Sequence, residues 1–247
     1  MRRCKKRSHG FTLIEVLIAV TLVSLLTAGL MVAMRVGLSA MNKADVKLMS
    51  NRRVMSAHRI LEQQVAGIMP VVADCQAGSD KPAGRIAFFQ GESQSMRFAS
   101  TYSLQQATRG VPMVLEFQVI PGANNEGVRL IVNERWYTGP RGAGAVCLGT
   151  GPDPLTGAPV PRFLPIIAGP NSYVLADKLR SCSFSYSDVA APQAAPLWTA
   201  RWAQAYLPNA IRVELAPLHR DPSQLQPVAL TIPIHVNRLP LEQYELE

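Results

Sequence analysis

One carboxylate interrupts the most apolar stretch of this chain. In Gly10-Phe11-Thr12-Leu13-Ile14-Glu15 and onward to Met34, Glu15 is the only charged side chain. An acidic residue at the middle of a membrane helix costs about 2.5–3.5 kcal/mol, and less near its edge. Such a residue is kept either because it snorkels to the interface or because a cation pairs with it. The other residue types able to do chemistry are scattered. His9, His58, His219 and His235 are far apart, and there is no Gly-x-Ser-x-Gly, His-Glu-x-x-His or Cys-x-x-Cys. The glycine-rich run Gly139–Gly151 lacks the Lys-Ser/Thr of a phosphate loop. Asp153 and Asp177 are isolated, without the clustered oxygen ligands of a calcium loop. These absences predict no catalytic constellation, no metal and no cofactor. Trp136, Trp198 and Trp202 read as core or interface residues, and His58 as a buried, hydrogen-bonded histidine on a helix.

The charge distribution narrows the partners. The formal net charge is +8, and Arg2, Arg3, Lys5, Lys6 and Arg7 all precede Gly10, which leaves about +3 for everything after them. No basic stripe interleaved with aromatics follows, so no nucleic acid is expected. The 24 residues from Phe11 to Met34 span about 36 Å as a helix, against a hydrocarbon core of about 30 Å. The basic cluster before this run holds the N-terminus in the cytoplasm and turns everything after Arg35 outward. A secretory signal peptide would end in a small-residue cleavage site. Val32-Ala33-Met34 and Leu38-Ser39-Ala40 match that poorly, and the run is too long. A plain signal anchor leaves Glu15 without a purpose.

The elements behind the apolar run read as helix, then sheet. Phe11 to Met69 is free of proline, and Val54, Leu61, Val65, Ile68 and Val72 form an apolar stripe that Gly67 and Pro70 end. The expected layout is residues 1–10, a transmembrane helix at 11–35, its continuation at 36–69, a linker at 70–84 and a β-rich domain at 85–247. Two short strands flank Gly91-Glu92-Ser93, and a hairpin turns between Pro121-Gly122 and Gly127. One strand alternates Cys182, Phe184 and Tyr186 on one face. Asn209–Leu218 and Pro227–Asn237 form a last antiparallel pair, and residues 139–170, crowded with Gly and Pro, read as a long surface loop. The fold class is α+β: a long N-terminal helix packed on antiparallel sheets.

Gly10–Ala19, GFTLIEVLIA behind a basic leader, resembles the type III signal of type IV pilins and type II secretion pseudopilins. The resemblance implies a pilin-like fold. It also implies cleavage by a prepilin peptidase between Gly10 and Phe11, methylation of the new Phe11 amine, and a subunit-assembly role for Glu15. The new ammonium would stand four residues before Glu15, on the same helix face. Alternatively, the carboxylate reaches the ammonium of a neighbouring subunit.

FFQGESQSMRF, SFSYSD, LWTARWAQAYLPNAIRVEL and PVALTIPIHV are similar to segments of the J class of minor pseudopilins, although residues 139–170 look longer than that class usually has. That resemblance implies a structural role at the pseudopilus tip, with I- and K-class minor pseudopilins and the major pseudopilin filament as partners. It places the chain in the inner membrane, single-pass, with a periplasmic C-terminal domain extracted into the pseudopilus. A minor pilin of a type IV pilus or DNA-uptake system is the nearest alternative. A signal-anchored periplasmic enzyme is the alternative from another class.

Cys4 leaves with the leader, so Cys75, Cys147 and Cys182 remain in an oxidising compartment. A Cys147–Cys182 bridge would tether the long loop to the sheet. Three buried thiols are the other reading.

Overall fold

The computed structural model describes residues 11–75, 84–153, 157, 159–188, 197–218 and 228–236; the side chains of 46, 47, 49–54, 159 and 228 fall outside that description. The chain divides into two units, 1–50 and 51–247, and one helix, α1 (Leu13–Ala66), contributes to both. In the first unit every described side chain from Phe11 to Asp45 is exposed. Leu13–Asp45 is long and apolar enough to cross a membrane. Thr21, Ser24 and Thr27 do not break this stretch, because each hydroxyl donates to a carbonyl of its own helix, at Ile18 (2.9 Å), Val20 (2.7 Å) and Val23 (3.0 Å).

In the second unit α1 buries Ala57, Leu61 and Val65, four residues apart on one face. Val54, expected on the same stripe, lies outside the described side chains. The helix stops at Gly67. A Cβ there would stand 2.8 Å from Ser100 Oγ, and the Gly67 carbonyl accepts the Thr101 N–H at 2.8 Å. Ile68 therefore leaves the helix and pairs in β1 (Ile68–Met69), while Val72 opens β2 (Val72–Cys75). The linker expected at 70–84 thus begins with a strand, and β2 pairs with β3 (Gly84–Ala87). Residues 76–83 lie outside the described residues.

The strands that follow are β4 (Phe89–Gly91), β5 (Ser95–Tyr102), β6 (Arg109–Pro121) and β7 (Val128–Trp136). A short helix, α2 (Pro140–Gly144), precedes β8 (Cys147–Pro152) and β9 (Pro159–Phe163). Then come β10 (Tyr173–Asp188), β11 (Leu197–Thr199), β12 (Ala210–Pro217) and β13 (Val228–Pro233). All named pairings are antiparallel. Nine strands make one sheet, β1-β5-β6-β7-β10-β12-β13, with β4 on β5 and β11 on β10. The architecture is α+β, a long apolar helix and an antiparallel β domain.

Period-two alternation assigns the two faces of this sheet. Met113, Leu115 and Phe117 of β6 enter the core beneath α1 with Phe98, Phe184 and Tyr186. Val114, between them, faces the other way into a second, smaller core with Ala73, Cys75, Phe88, Ala99 and Ala143. We call that second side the outer face. The residues expected to form a long loop, 139–170, instead supply α2 and the β8–β9 hairpin that cover it. Both strands of that hairpin are edges, where proline is tolerated, so its Gly and Pro content does not prevent pairing.

The cysteines follow from these faces. Cys75 of β2 is bonded to Cys147 of β8, with Cα atoms 5.4 Å apart, and Cys182 is free and buried. The expected Cys147–Cys182 bridge is therefore corrected. Cys182 shares the helix-side core with Phe184 and Tyr186, whereas Cys147 packs in the layer across the sheet.

Leu61 is fully buried, so Leu61→Ala should lower unfolding stability by about 3 kcal/mol, read from the urea midpoint of the full chain in mild detergent. A change near zero would mean that α1 does not seal the core.

Candidate functional site

The segment Phe11–Glu15 is built by the start of α1. The Thr12 carbonyl accepts the N–H groups of Glu15 (3.1 Å) and Val16 (3.3 Å), which makes Thr12 the N-cap residue and Glu15 the third residue of the helix. Thr-x-x-Glu at these positions is the capping-box spacing, a feature of Thr12 that the sequence reading passed over. A carboxylate in the first turn also complements the positive end of the helix dipole. Glu15 is exposed and Phe11 is 82% exposed, so both are presented for contact rather than packed within the subunit. Gly10 lies outside the described residues.

The four segments similar to the J class converge in space. Phe89 meets Tyr186 edge-to-face at 5.7 Å, and Trp202 meets Tyr206 at 5.7 Å. The Tyr186 hydroxyl donates to the Glu92 carbonyl at 3.0 Å, and Trp202 Nε1–H donates to the Tyr206 carbonyl at 2.6 Å. Gly91 sits at the centre. Its carbonyl accepts the Trp202 N–H at 2.9 Å, and a Cβ would meet Tyr186, Phe89 and Trp202 at 2.7–2.9 Å. Glycine is required there by the close approach of three aromatic residues. Leu207, Ile211, Val213 and Leu215 continue from this knot into the core.

The outer face carries a polar row with no local signal in the sequence. Gln90, Arg97, Glu116 and Asn133 stand opposite one another on β4, β5, β6 and β7. Arg97 is 1% exposed and uses all three nitrogens: Nε to Glu116 Oε1 (2.8 Å), Nη1 to Gln90 Oε1 (2.8 Å) and Nη2 to the Leu164 carbonyl (3.0 Å). Burial lowers its pKa, and Glu116 opposes that shift.

The remaining sequence candidates are not brought together. Trp202 is buried, Trp136 is exposed, and Trp198 is half-buried under the Arg212 guanidinium, 3.9 Å from its ring centre. His58 is half-buried rather than fully buried, His235 is exposed, and His9 and His219 lie outside the described residues. Asp153 is buried beside Arg201 at 3.8 Å, and Asp177 lies 4.0 Å from Arg129. Among the described residues no three His, Cys, Asp or Glu side chains are grouped to hold a metal ion.

Residues 5–31 match the family described as the prokaryotic N-terminal methylation motif. No curated protein matches the chain significantly. That motif is a prepilin signal of a structural, non-catalytic class, and the apolar helix behind it fits a single-pass membrane anchor. Joined to an antiparallel β domain, it marks the chain as a type IV pilin-like protein, a pilin or a pseudopilin.

Proposed function

We propose that the chain is a minor pseudopilin of the J class, a structural subunit at the tip of a type II secretion pseudopilus that helps move folded proteins across the outer membrane. The observation that carries the finer reading is the knot around Gly91, where three of the four J-like segments pack on one another, with the fourth joined to them by the pairing of β13 with β12. The prepilin peptidase cuts between Gly10 and Phe11 and methylates Phe11. The domain after the span stands in the periplasm, and the Cys75–Cys147 bond supports that placement, because disulfides persist in oxidising compartments. The partners are I- and K-class minor pseudopilins and the major pseudopilin filament. The test is co-purification from detergent beside type II secretion subunits and, separately, type IV pilus subunits. Enrichment of the secretion subunits is expected, and enrichment of pilus subunits alone sinks the J-class assignment.

Two predictions test the processing and assembly residues. Gly10→Leu should leave the leader attached, because the peptidase must fit a residue without a side chain beside the scissile bond. Mass spectrometry should find N-methyl-phenylalanine at position 11 in the wild type and an intact leader in the variant; normal maturation of Gly10→Leu refutes the cut site.

Glu15→Ala removes a costly charge from the apolar run, so insertion should not suffer. What it removes from the filament is the partner of a Phe11 ammonium, where an unpaired charge is expensive. Cleavage and membrane residence should therefore be normal while tip association falls several-fold. Unchanged tip association together with unchanged secretion would return Glu15 to a snorkelling role.

A further inference from the structure

The Cys75–Cys147 bond is not the pair that chain statistics favour. In an unfolded chain the closure probability falls with about the 3/2 power of loop length. Cys147 and Cys182 are separated by about half of the 72 residues that separate Cys75 from Cys147, so contact between Cys147 and Cys182 should be about threefold commoner there. The fold reverses that preference through contacts other than the bond itself. Ala143 of α2 is buried with Ala73 of β2, and Gly144 lies so close to the Asp74 carbonyl that a Cβ has no room. These contacts set the residues just before Cys147 against those just before Cys75. On the other side of the hairpin, the Leu164 N–H bonds the Val146 carbonyl at 2.8 Å and fixes the neighbour of Cys147. Cys182 lies in the helix-side core, across the sheet from both.

The three sulfurs also differ in access. Cys75 is 3% exposed and Cys182 4%, whereas Cys147 is half-buried on a peripheral hairpin, with exposed Ala145 and Leu148 close to it in the chain. Burial pushes the Cys182 thiol up to about 12, so it is a poor nucleophile as well as an unreachable one.

We propose that the folded domain is the substrate of a protein dithiol–disulfide oxidase, with Cys147 as the entry thiol, Cys75 as the resolving thiol and Cys182 held out of the exchange. The inference rests on the proposed function only in placing the domain in the periplasm. The Cys147 thiolate attacks one sulfur of the oxidase disulfide; a mixed disulfide forms, and the second oxidase sulfur leaves as a thiolate. The Cys75 thiolate, held with its Cα 5.4 Å from that of Cys147, then attacks Cys147 Sγ. The Cys75–Cys147 bond forms and the first oxidase sulfur leaves. The two cysteines give up two electrons and two protons, and the oxidase disulfide takes them up as a dithiol.

The test begins with the wild-type full chain, reduced in mild detergent and pulsed with iodoacetamide. Cys147 should be alkylated about tenfold faster than Cys75 or Cys182, and all three at similar rates in urea. Oxidised glutathione offered to native Cys75→Ala should leave a mixed disulfide at Cys147, because the resolving thiol is missing, while native Cys147→Ala should stay unmodified. In the chain's own cells, Cys75→Ala should be recovered with Cys147 bonded to a protein whose linked peptide carries Cys-x-x-Cys. Labelling of Cys75 or Cys182 as fast as Cys147 in the native chain overturns the proposal. So does labelling of Cys147 only after unfolding, which would place oxidation before folding, and so do cells that yield no such adduct. Wild-type chain taken from cells with Cys75 and Cys147 both free would refute the periplasmic placement, whereas a reversed labelling order refutes the entry assignment alone.

Discussion

Arg97→Met is expected to lower unfolding stability by about 4 kcal/mol, because it removes one partner of a buried ion pair and leaves the other. Methionine keeps most of the apolar volume, so the loss is not a cavity effect. What remains is a Glu116 carboxylate only 12% exposed, with Arg135 at 3.7 Å as its residual partner, together with a Gln90 oxygen and the Leu164 carbonyl deprived of their donors. Buried polar groups left unpaired are what make such truncations severe. The control is the double variant Arg97→Met/Glu116→Leu, which removes both charges and should recover most of the loss. Urea midpoints of the full chain in mild detergent, at constant slope, give both numbers. A single variant within about 1 kcal/mol of wild type would show that Arg97 is not what holds Leu164 to the sheet. Hydrogen exchange of residues 164–168 should rise in the single variant, since the Arg97 bond to the Leu164 carbonyl is one of two donors gripping that strand of chain.

What was legible in the sequence depended on how local its cause was. The β6–β7 hairpin is specified within 28 residues, by alternation in Met113–Val119 and a turn in which Asn124, Asn125 and Gly127 take positive φ. Alternation likewise placed Cys182, Phe184 and Tyr186 on one buried face. The stop at Gly67 followed from a breaker residue, although the strand formed by Ile68 did not, because that pairing depends on Ser100, 32 positions away. The outer layer was illegible for the same reason. Its Gly and Pro content hides period two, and its anchors are long-range: Arg97 reaches Leu164 and Asn133 reaches Ile167. The disulfide was missed although one clue was present. A cysteine that alternates with Phe184 and Tyr186 faces the helix-side core, which removes Cys182 as a partner for any residue of the outer layer. For the N-terminal segment the motif speaks more clearly than geometry, since Glu15 is exposed on α1 and its proposed assembly role rests on the motif.

Replacing Cys75 and Cys147 by alanine is expected to destabilise the domain by about 4 kcal/mol, the chain-entropy value for a closed loop of 72 residues. The two cysteines lie in the two-stranded sheets rather than in the nine-stranded one. The earliest consequence should therefore be local: faster hydrogen exchange in 140–152, with β5, β6 and β7 still protected until global unfolding. Cys182 does not provide a substitute bond. Burial pushes its thiol up to about 12, and the thiolate needed for exchange is scarce at neutral pH. Native protein should accordingly resist alkylation at Cys182 and become reactive there only when unfolded. Reduction of the wild type should reproduce the double variant, with a lowered midpoint that returns on reoxidation. A reduced chain with the wild-type midpoint would mean that β2 and β8 are held by packing alone. A Cys75→Ala chain that forms a Cys147–Cys182 bond instead would mean that the two faces of the sheet exchange residues, which a packed nine-stranded sheet forbids.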